Sequence, residues 1–221
     1  MRDVKGVAKG KRGVIFAGGV APGTAFIEAL IRADDYIICL DSGLEAADKA
    51  NIAPSVIVGD FDSVTRETLE KYTSLGISVN QFSTKKDFTD MELGIQEAIK
   101  ADVDELILLG ALGGRADHMM GNIDNMVQAL NVGISTAIFD EKQHIYMLNR
   151  GRTFYYKKGS VVSLIPFTST VDGIVTTNLI YPLYNESLAK GYSRGISNIF
   201  AHDMAAVDFK SGILQVVVNI S

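Results

Sequence analysis

Three stretches of the chain combine residue types suited to chemistry on phosphate. Gly59-Asp60-Phe61-Asp62-Ser63 sets two carboxylates one residue apart, directly after the apolar run 56–58. On a loop leaving a strand, Asp60 and Asp62 can converge on one hard cation, and a magnesium ion held by so few carboxylates takes its other ligands from water and substrate phosphate. A plainer reading has Asp62 or Ser63 capping a helix entered at Thr65, with Glu67 favourable in its first turn. Lys85-Lys86-Asp87-Phe88-Thr89-Asp90 follows the run 78–82 and opens an amphipathic stretch ending at Lys100. Asp87 or Thr89 can cap that helix, and Asp90 and Glu92 suit its dipole. Capping leaves the two lysines unexplained, whereas cations and anions together at a helix start are what a metal-bound polyphosphate requires.

The third stretch is Leu109-Gly110-Ala111-Leu112-Gly113-Gly114-Arg115-Ala116-Asp117-His118. Its glycines let backbone N–H groups approach phosphate oxygens, and Arg115 supplies a planar fork for the same group. The glycine spacing is not G-x-G-x-x-G, and no Gly-Lys-Ser/Thr follows, so neither the dinucleotide fingerprint nor the Walker loop is present. Asp41-Ser42-Gly43 closes the run 36–40; Asp41 can bond a ribose, reach a metal through water, or cap a helix. Gly18-Gly19 allows a tight turn after the first run. His118 by itself reads as a structural or helix-entry residue. The three histidines (118, 144 and 202) and the single cysteine, Cys39, have no zinc-ligand spacing.

Strands over 13–17, 36–40, 56–58, 78–82, 105–109 and 135–139 must carry these clusters, most of them too apolar to have a wet face. Helices over 24–32, 43–50, 66–72, 89–100 and 118–130 alternate with them, and Met91, Ile95, Ala98 and Ile99 show the helical spacing. Such alternation implies a parallel sheet covered by helices. Asp or glycine-arginine groups at four strand-to-helix junctions then share one edge of the sheet, where open α/β sheets bind ligands.

After Asp140 the pattern becomes short β-branched or aromatic runs: 143–149, 153–156, 161–165, 171–175, 198–201, 205–209 and 213–220. Turns such as Asn149-Arg150-Gly151 and Lys210-Ser211-Gly212 separate them. The fold class expected is α/β: a Rossmann-like parallel sheet with flanking helices over residues 1–142, then a smaller all-β domain, sandwich or barrel, over 143–221.

The chain has 221 residues, 47% hydrophobic and 21% charged, with net charge −5. That composition supports a sizeable core and excludes a mainly disordered chain. The acidic balance argues against nucleic acid as a polymer, because no cationic excess displaces its counterions. It leaves room for a nucleotide carried in with a divalent cation. One cysteine forms no internal disulfide and suits a reducing compartment. Charged residues interrupt every run well short of the ~20 apolar residues a membrane helix needs. A cytoplasmic protein with no membrane segment is expected.

Taken together and in order, these clusters resemble those of thiamine pyrophosphokinases. The resemblance runs through Asp41-Ser42-Gly43, Gly59-Asp60-Phe61-Asp62-Ser63, Asp87-Phe88-Thr89-Asp90 and Gly113-Gly114-Arg115-Ala116-Asp117-His118. It continues at Ser163-Leu164-Ile165-Pro166 and Gly195-Ile196-Ser197-Asn198, and so covers nearly the whole chain after about residue 13. It departs at Ser42, where the family pattern has glycine, and at Ile199, where bacterial members usually carry an acidic residue. The resemblance implies an enzyme that moves diphosphate from ATP to the hydroxyl of thiamine and releases AMP, working as a homodimer with sites between subunits. It assigns ATP and Mg²⁺ to the α/β domain, and thiamine binding and dimerisation to the β domain. It implies Asp60, Asp62 and Asp90 as metal and catalytic carboxylates and Arg115 as a catalytic cation. Asp41, Ser42, Lys86, Asp87, Thr89, Gly113, Gly114, Asp117 and His118 fall on the nucleotide side, and Ser197 and Asn198 on the thiamine side. Asp62 or Asp90 takes the hydroxyl proton, and Tyr181, Tyr184, Tyr192 and Phe200 are candidates for an aromatic wall facing the thiazolium. The rivals are another Mg²⁺-dependent diphosphokinase, on pterin for example, and a nucleotide sensor without chemistry.

Overall fold

The computed structural model describes residues 10–82 and 88–220. They fall into two compact units, one ending at Glu141 and the other beginning at Lys142. In the first, five strands are apolar almost throughout: β1 (Arg12–Phe16), β2 (Tyr36–Leu40), β3 (Val56–Gly59), β5 (Glu105–Leu109) and β6 (Ser135–Phe139). Every residue of β1 and β3 is buried, and only the first residue of the other three is partly wet. Strands of that kind belong in a parallel sheet. β4 (Ser78–Gln81) is the polar exception and, among the described residues, pairs with β3 alone.

Within this unit the order is β4-β3-β2-β1-β5-β6, all parallel. The chain steps outward from β1 to β4 and then returns to the other flank of β1 as β5, so the strand order reverses between β1 and β5. Parallel strands need crossover helices, and the chain supplies α1 (Thr24–Leu30), α2 (Gly43–Lys49), α3 (Arg66–Ser74), α4 (Asp90–Lys100) and α5 (Ala116–Asn131). Met91, Leu93, Ile95 and Ala98 of α4 are buried and Ile99 is half-buried, in keeping with the helical spacing. Arg12, inside β1, is buried with its charge paired: its guanidinium grips Asp35 at 2.7 and 2.6 Å and the Leu30 carbonyl at 2.8 Å.

The second unit is antiparallel. β7 (Gln143–Leu148), β9 (Val161–Pro166), β12 (Asn198–Ile199) and β14 (Leu214–Asn219) pair in the order β12-β9-β14-β7. β8 (Arg152–Phe154), β10 (Thr170–Thr177), β11 (Tyr184–Ala189) and β13 (Ala205–Asp208) form a separate sheet ordered β11-β10-β13-β8. β11 is absent from the sequence pattern: only Leu188 of its six residues is buried, so an edge strand paired to β10 leaves almost no apolar alternation to read. Among the described residues no helix is long and apolar enough to cross a membrane.

Candidate active site

Because the six strands among the described residues of the first unit are all parallel, the turns leaving β1, β2, β3 and β5 lie at one edge, and the order reverses between two of them. At that reversal the Ala17 N–H donates to the Leu109 carbonyl at 2.9 Å and the Gly19 N–H to the Gly110 carbonyl at 3.0 Å. Gly110 has φ +66°, and a Cβ there would stand 2.6 Å from the Ala17 carbonyl oxygen, so the two turns approach closely only because residue 110 is glycine. Gly113 and Gly114 follow, exposed, and lead into α5. Asn122 ties the glycine-rich turn to its helix, donating to the Ala111 carbonyl at 2.9 Å.

Arg115 precedes α5 and makes no capping bond. Its guanidinium bonds both oxygens of Asp117, at 3.1 and 2.5 Å, and the pair is exposed. This fork holds the Asp117 carboxyl below the usual carboxylate range, helped by the His118 N–H at 3.0 Å. His118 is exposed at the helix entry. Ser42 begins α2 without a side-chain cap, and its hydroxyl donates to the Gly18 carbonyl at 3.3 Å.

Asp41 is the hub of the acidic residues. It follows β2 with φ +42°, and its Oδ1 accepts the N–H groups of Asp60 and Phe61, each at 3.1 Å. Phe61 also lies in the left-handed region, at φ +66°, a conformation a bulky residue keeps only where its surroundings impose it. Asp90, the first residue of α4, and Asp60 both bring negative charge close to the Asp41 carboxyl. Burial, opposed by the Phe61 N–H and reinforced by Asp90 and Asp60, pushes the Asp41 carboxyl up to about 6. Like charges crowded in this way disfavour the ionised carboxyl, and a divalent cation relieves the same repulsion. Gly59 is what lets Asp41 in: its φ is +152°, and a Cβ would run into Asp41 Oδ1.

The capping readings resolve differently at each cluster. Thr65, not Asp62 or Ser63, caps α3, its Oγ1 accepting the Thr68 N–H at 3.3 Å. Asp62 and Ser63 therefore remain exposed, and the Asp62 N–H donates to Asp60 Oδ1 at 3.2 Å. Thr89 caps α4 through the Glu92 N–H at 3.3 Å, and Asn125 of α5 reaches the Thr89 hydroxyl at 3.4 Å. Lys86 and Asp87 lie outside the described residues. The structure thus gathers Asp41, Asp60 and Asp90. Among the described residues, no three His, Cys, Asp or Glu side chains are close enough to hold an ion unaided. The oxygen-only donors and crowded negative charge fit a divalent cation whose shell substrate oxygens complete.

In the second unit Ser197 takes φ +59° and donates its N–H to Ser163 Oγ at 3.1 Å. Asn198 is buried, and its amide serves the backbone: Oδ1 accepts the N–H groups of Tyr181 at 3.0 Å and Ile199 at 2.9 Å, and Nδ2 donates to the Tyr181 carbonyl at 2.6 Å. Phe200 is core, edge-on to Tyr156 with ring centres 5.6 Å apart, whereas Tyr181, Tyr184 and Tyr192 are exposed. Residue types alone did not reveal Asp41 as an acceptor for a distant loop, nor Asn122 and Asn125 as ties. An amide pair three residues apart on α5 was the available signal.

The family profile for the thiamin pyrophosphokinase catalytic domain matches residues 27–138, and that for the thiamin pyrophosphokinase vitamin B1 binding domain matches residues 147–214. The chain is 30% identical to a thiamine pyrophosphokinase of Bacillus subtilis (strain 168) over 182 residues, 81% of this chain and 85% of that protein. The crystal structure of the thiamine pyrophosphokinase from Bacillus subtilis superimposes with a TM-score of 0.86 at 27% identity, covering 96% of this chain and all of that one (100%). That of the thiamin pyrophosphokinase from Geobacillus thermodenitrificans gives 0.82 at 26% identity, covering 95% and 98%.

Proposed function

The chain belongs to the thiamine pyrophosphokinase family, enzymes that make thiamine diphosphate from thiamine and ATP, and from that premise we propose how its residues divide the reaction. The observation that carries the division is the gathering of Asp41, the Asp60 loop and Asp90 at the strand ends, beside the glycine-rich turn. The first unit is read as Rossmann-like and takes ATP; the second, sandwich-like, takes thiamine through the stretch around Ser197 and Asn198.

In the transfer, the thiamine hydroxyl oxygen attacks the β-phosphorus of ATP and the bond from that phosphorus to the α-phosphate oxygen breaks. The bonding pair leaves with AMP, and the hydroxyl proton passes to Asp62 or Asp90. Positioning and charge neutralisation are the main requirements of such a step. Asp60, Asp62 and Asp90, with Asp41 adjoining, would hold Mg²⁺ together with phosphate oxygens. When bound, the ion offsets the charge of the transferring diphosphate. Arg115 exchanges one bidentate acceptor, Asp117, for the triphosphate, with Lys86 adding charge and Ser42, Asp87, Thr89, Gly113, Gly114 and His118 lining the nucleotide side. Exposed Tyr181, Tyr184 and Tyr192 suit a homodimer with thiamine at its interface. The place of action proposed is the cytoplasm.

One assay tests the reading: AMP formation from ATP with thiamine, with a pterin alcohol, or with neither. Thiamine-dependent AMP release is expected. Release with pterin instead, or metal-independent binding without turnover, would favour the rivals.

A further inference from the structure

Glu45 lies outside every chemical cluster, in the first turn of α2, and its carboxylate is taken up by a loop twenty residues away. Oε1 accepts the Thr65 N–H at 2.9 Å, and Oε2 accepts the Thr68 hydroxyl at 3.0 Å. Thr68 is buried, and the Thr65 hydroxyl donates to its Oγ1 at 2.8 Å while accepting its N–H. Both carboxylate oxygens of Glu45 therefore fix the capped start of α3, the point where the loop that begins at Asp60 ends.

Asp41, four residues before Glu45, holds the other end of that loop through the N–H groups of Asp60 and Phe61. The segment bearing both grips is itself fixed: Leu44 and Ala47 are fully buried, and Gly43 lies so close to the Phe16 carbonyl that a Cβ would run into it. Between the grips, Asp62 and Ser63 are exposed. A loop held at one end only would let Asp62 swing, and misplacement by ~1 Å at a reacting centre costs about a hundredfold in rate.

We propose that Glu45 is a positioning residue for diphosphate transfer, fixing the far end of the loop that carries Asp60 and Asp62. The proposal rests on the reading of that loop as catalytic. It is tested in the full chain with Glu45→Ala, Glu45→Gln, Thr68→Val and the control Asp62→Asn, following kcat, the thiamine KM and amide exchange without ligands. Glu45→Ala is expected to lower kcat by about tenfold or more. It should leave the thiamine KM within about twofold and speed exchange across residues 60–65 but not in the second unit. Glu45→Gln keeps an oxygen for the Thr65 N–H and should recover most of kcat. Thr68→Val removes one donor and should give a smaller fall, which keeps the test intact if Glu45→Ala does not fold. Faster exchange with wild-type kcat in Glu45→Ala or Thr68→Val would make Glu45 merely structural and overturn the proposal, as would unchanged exchange. Wild-type activity in Asp62→Asn would instead overturn the underlying reading of the loop.

Discussion

The Asp41 carboxylate accepts the backbone N–H of Asp60, nineteen residues later, at 3.1 Å. This bond exists because β2 and β3 are parallel neighbours with Leu40 opposite Val58, so the turns leaving them emerge side by side. It gives Asp41 two tasks: it shapes the loop that carries Asp60 and Asp62, and it adds a third negative charge where Asp60 and Asp90 already stand.

Gly59→Ala should damage that arrangement without touching a charged group. The added Cβ meets Asp41 Oδ1, and an alanine at φ +152° is strained whatever the space. Backbone strain of this kind costs roughly 1–3 kcal/mol. Displacing the Asp41 carboxylate should also lower kcat by about tenfold or more. Urea midpoints and AMP release measure the two effects; a variant that is destabilised yet fully active would mean that the carboxylate's position is not critical.

Most of the parallel unit could be read in the sequence, because strands buried on both faces leave unbroken apolar runs and their turns must share an edge. Strand order alone therefore places Asp41, Asp60, Asp90 and the glycine-rich turn on one side of the sheet, with no contact known. What depends on pairing is not legible in the same way. Nothing in Asp41-Ser42-Gly43 says that its carboxylate will take N–H groups from the next turn. Nothing in Asp62-Ser63-Val64-Thr65 says that the cap is Thr65, since three of these four side chains can cap a helix. β11 was illegible for a different reason: with only Leu188 buried, Tyr184–Ala189 carries hardly any hydrophobic pattern.

Asp41→Asn separates stability from function. Asparagine keeps an oxygen for the Asp60 and Phe61 N–H groups, and removes a charge that burial and its acidic neighbours disfavour more than the Phe61 N–H favours it, as the upward shift to about 6 indicates. Without metal or nucleotide, the variant should melt at a higher temperature than the parent. Its turnover should require more divalent metal for half-maximal rate. A lower melting temperature would mean that the charge-assisted bonds to the loop outweigh the repulsion.

Acid should weaken the contact between α2 and α3 in a defined window. Lys71 bonds Asp48 at 2.5 Å and Tyr72 bonds it at 2.8 Å, and the lysine, with the tyrosine's help, holds the Asp48 carboxyl below its ordinary value. A carboxyl depressed in the folded state stabilises above its unfolded pKa, about 3.9, and loses that contribution as pH falls through the folded value. Asp48→Asn should therefore be less stable than the parent near neutrality, with the gap closing below about pH 4. A gap unchanged between pH 7 and 3 would assign the effect to packing.

Arg115→Lys should raise the KM for ATP by about tenfold, because lysine keeps the charge but loses the two-pronged geometry that now engages both oxygens of Asp117. The KM for thiamine should stay within about twofold, the loss being confined to the nucleotide. Equal rises in both constants would indicate that Arg115 acts on the whole site and not on the phosphates alone.

Asp62→Asn gives the sharpest separation of chemistry from fold. The cap of α3 is Thr65, and Asp62 contributes its N–H, not its side chain, to the hydrogen bond with Asp60. An exposed side chain with no such structural duty should be replaceable at less than about 0.5 kcal/mol of stability. If the same carboxylate accepts the thiamine proton or joins the metal's shell, the amide can do neither, and turnover should fall by at least about a hundredfold. Urea unfolding and thiamine-dependent AMP release measure the two sides independently. A variant as stable as the parent and nearly as active would leave Asp90 as the proton acceptor and remove Asp62 from the chemistry.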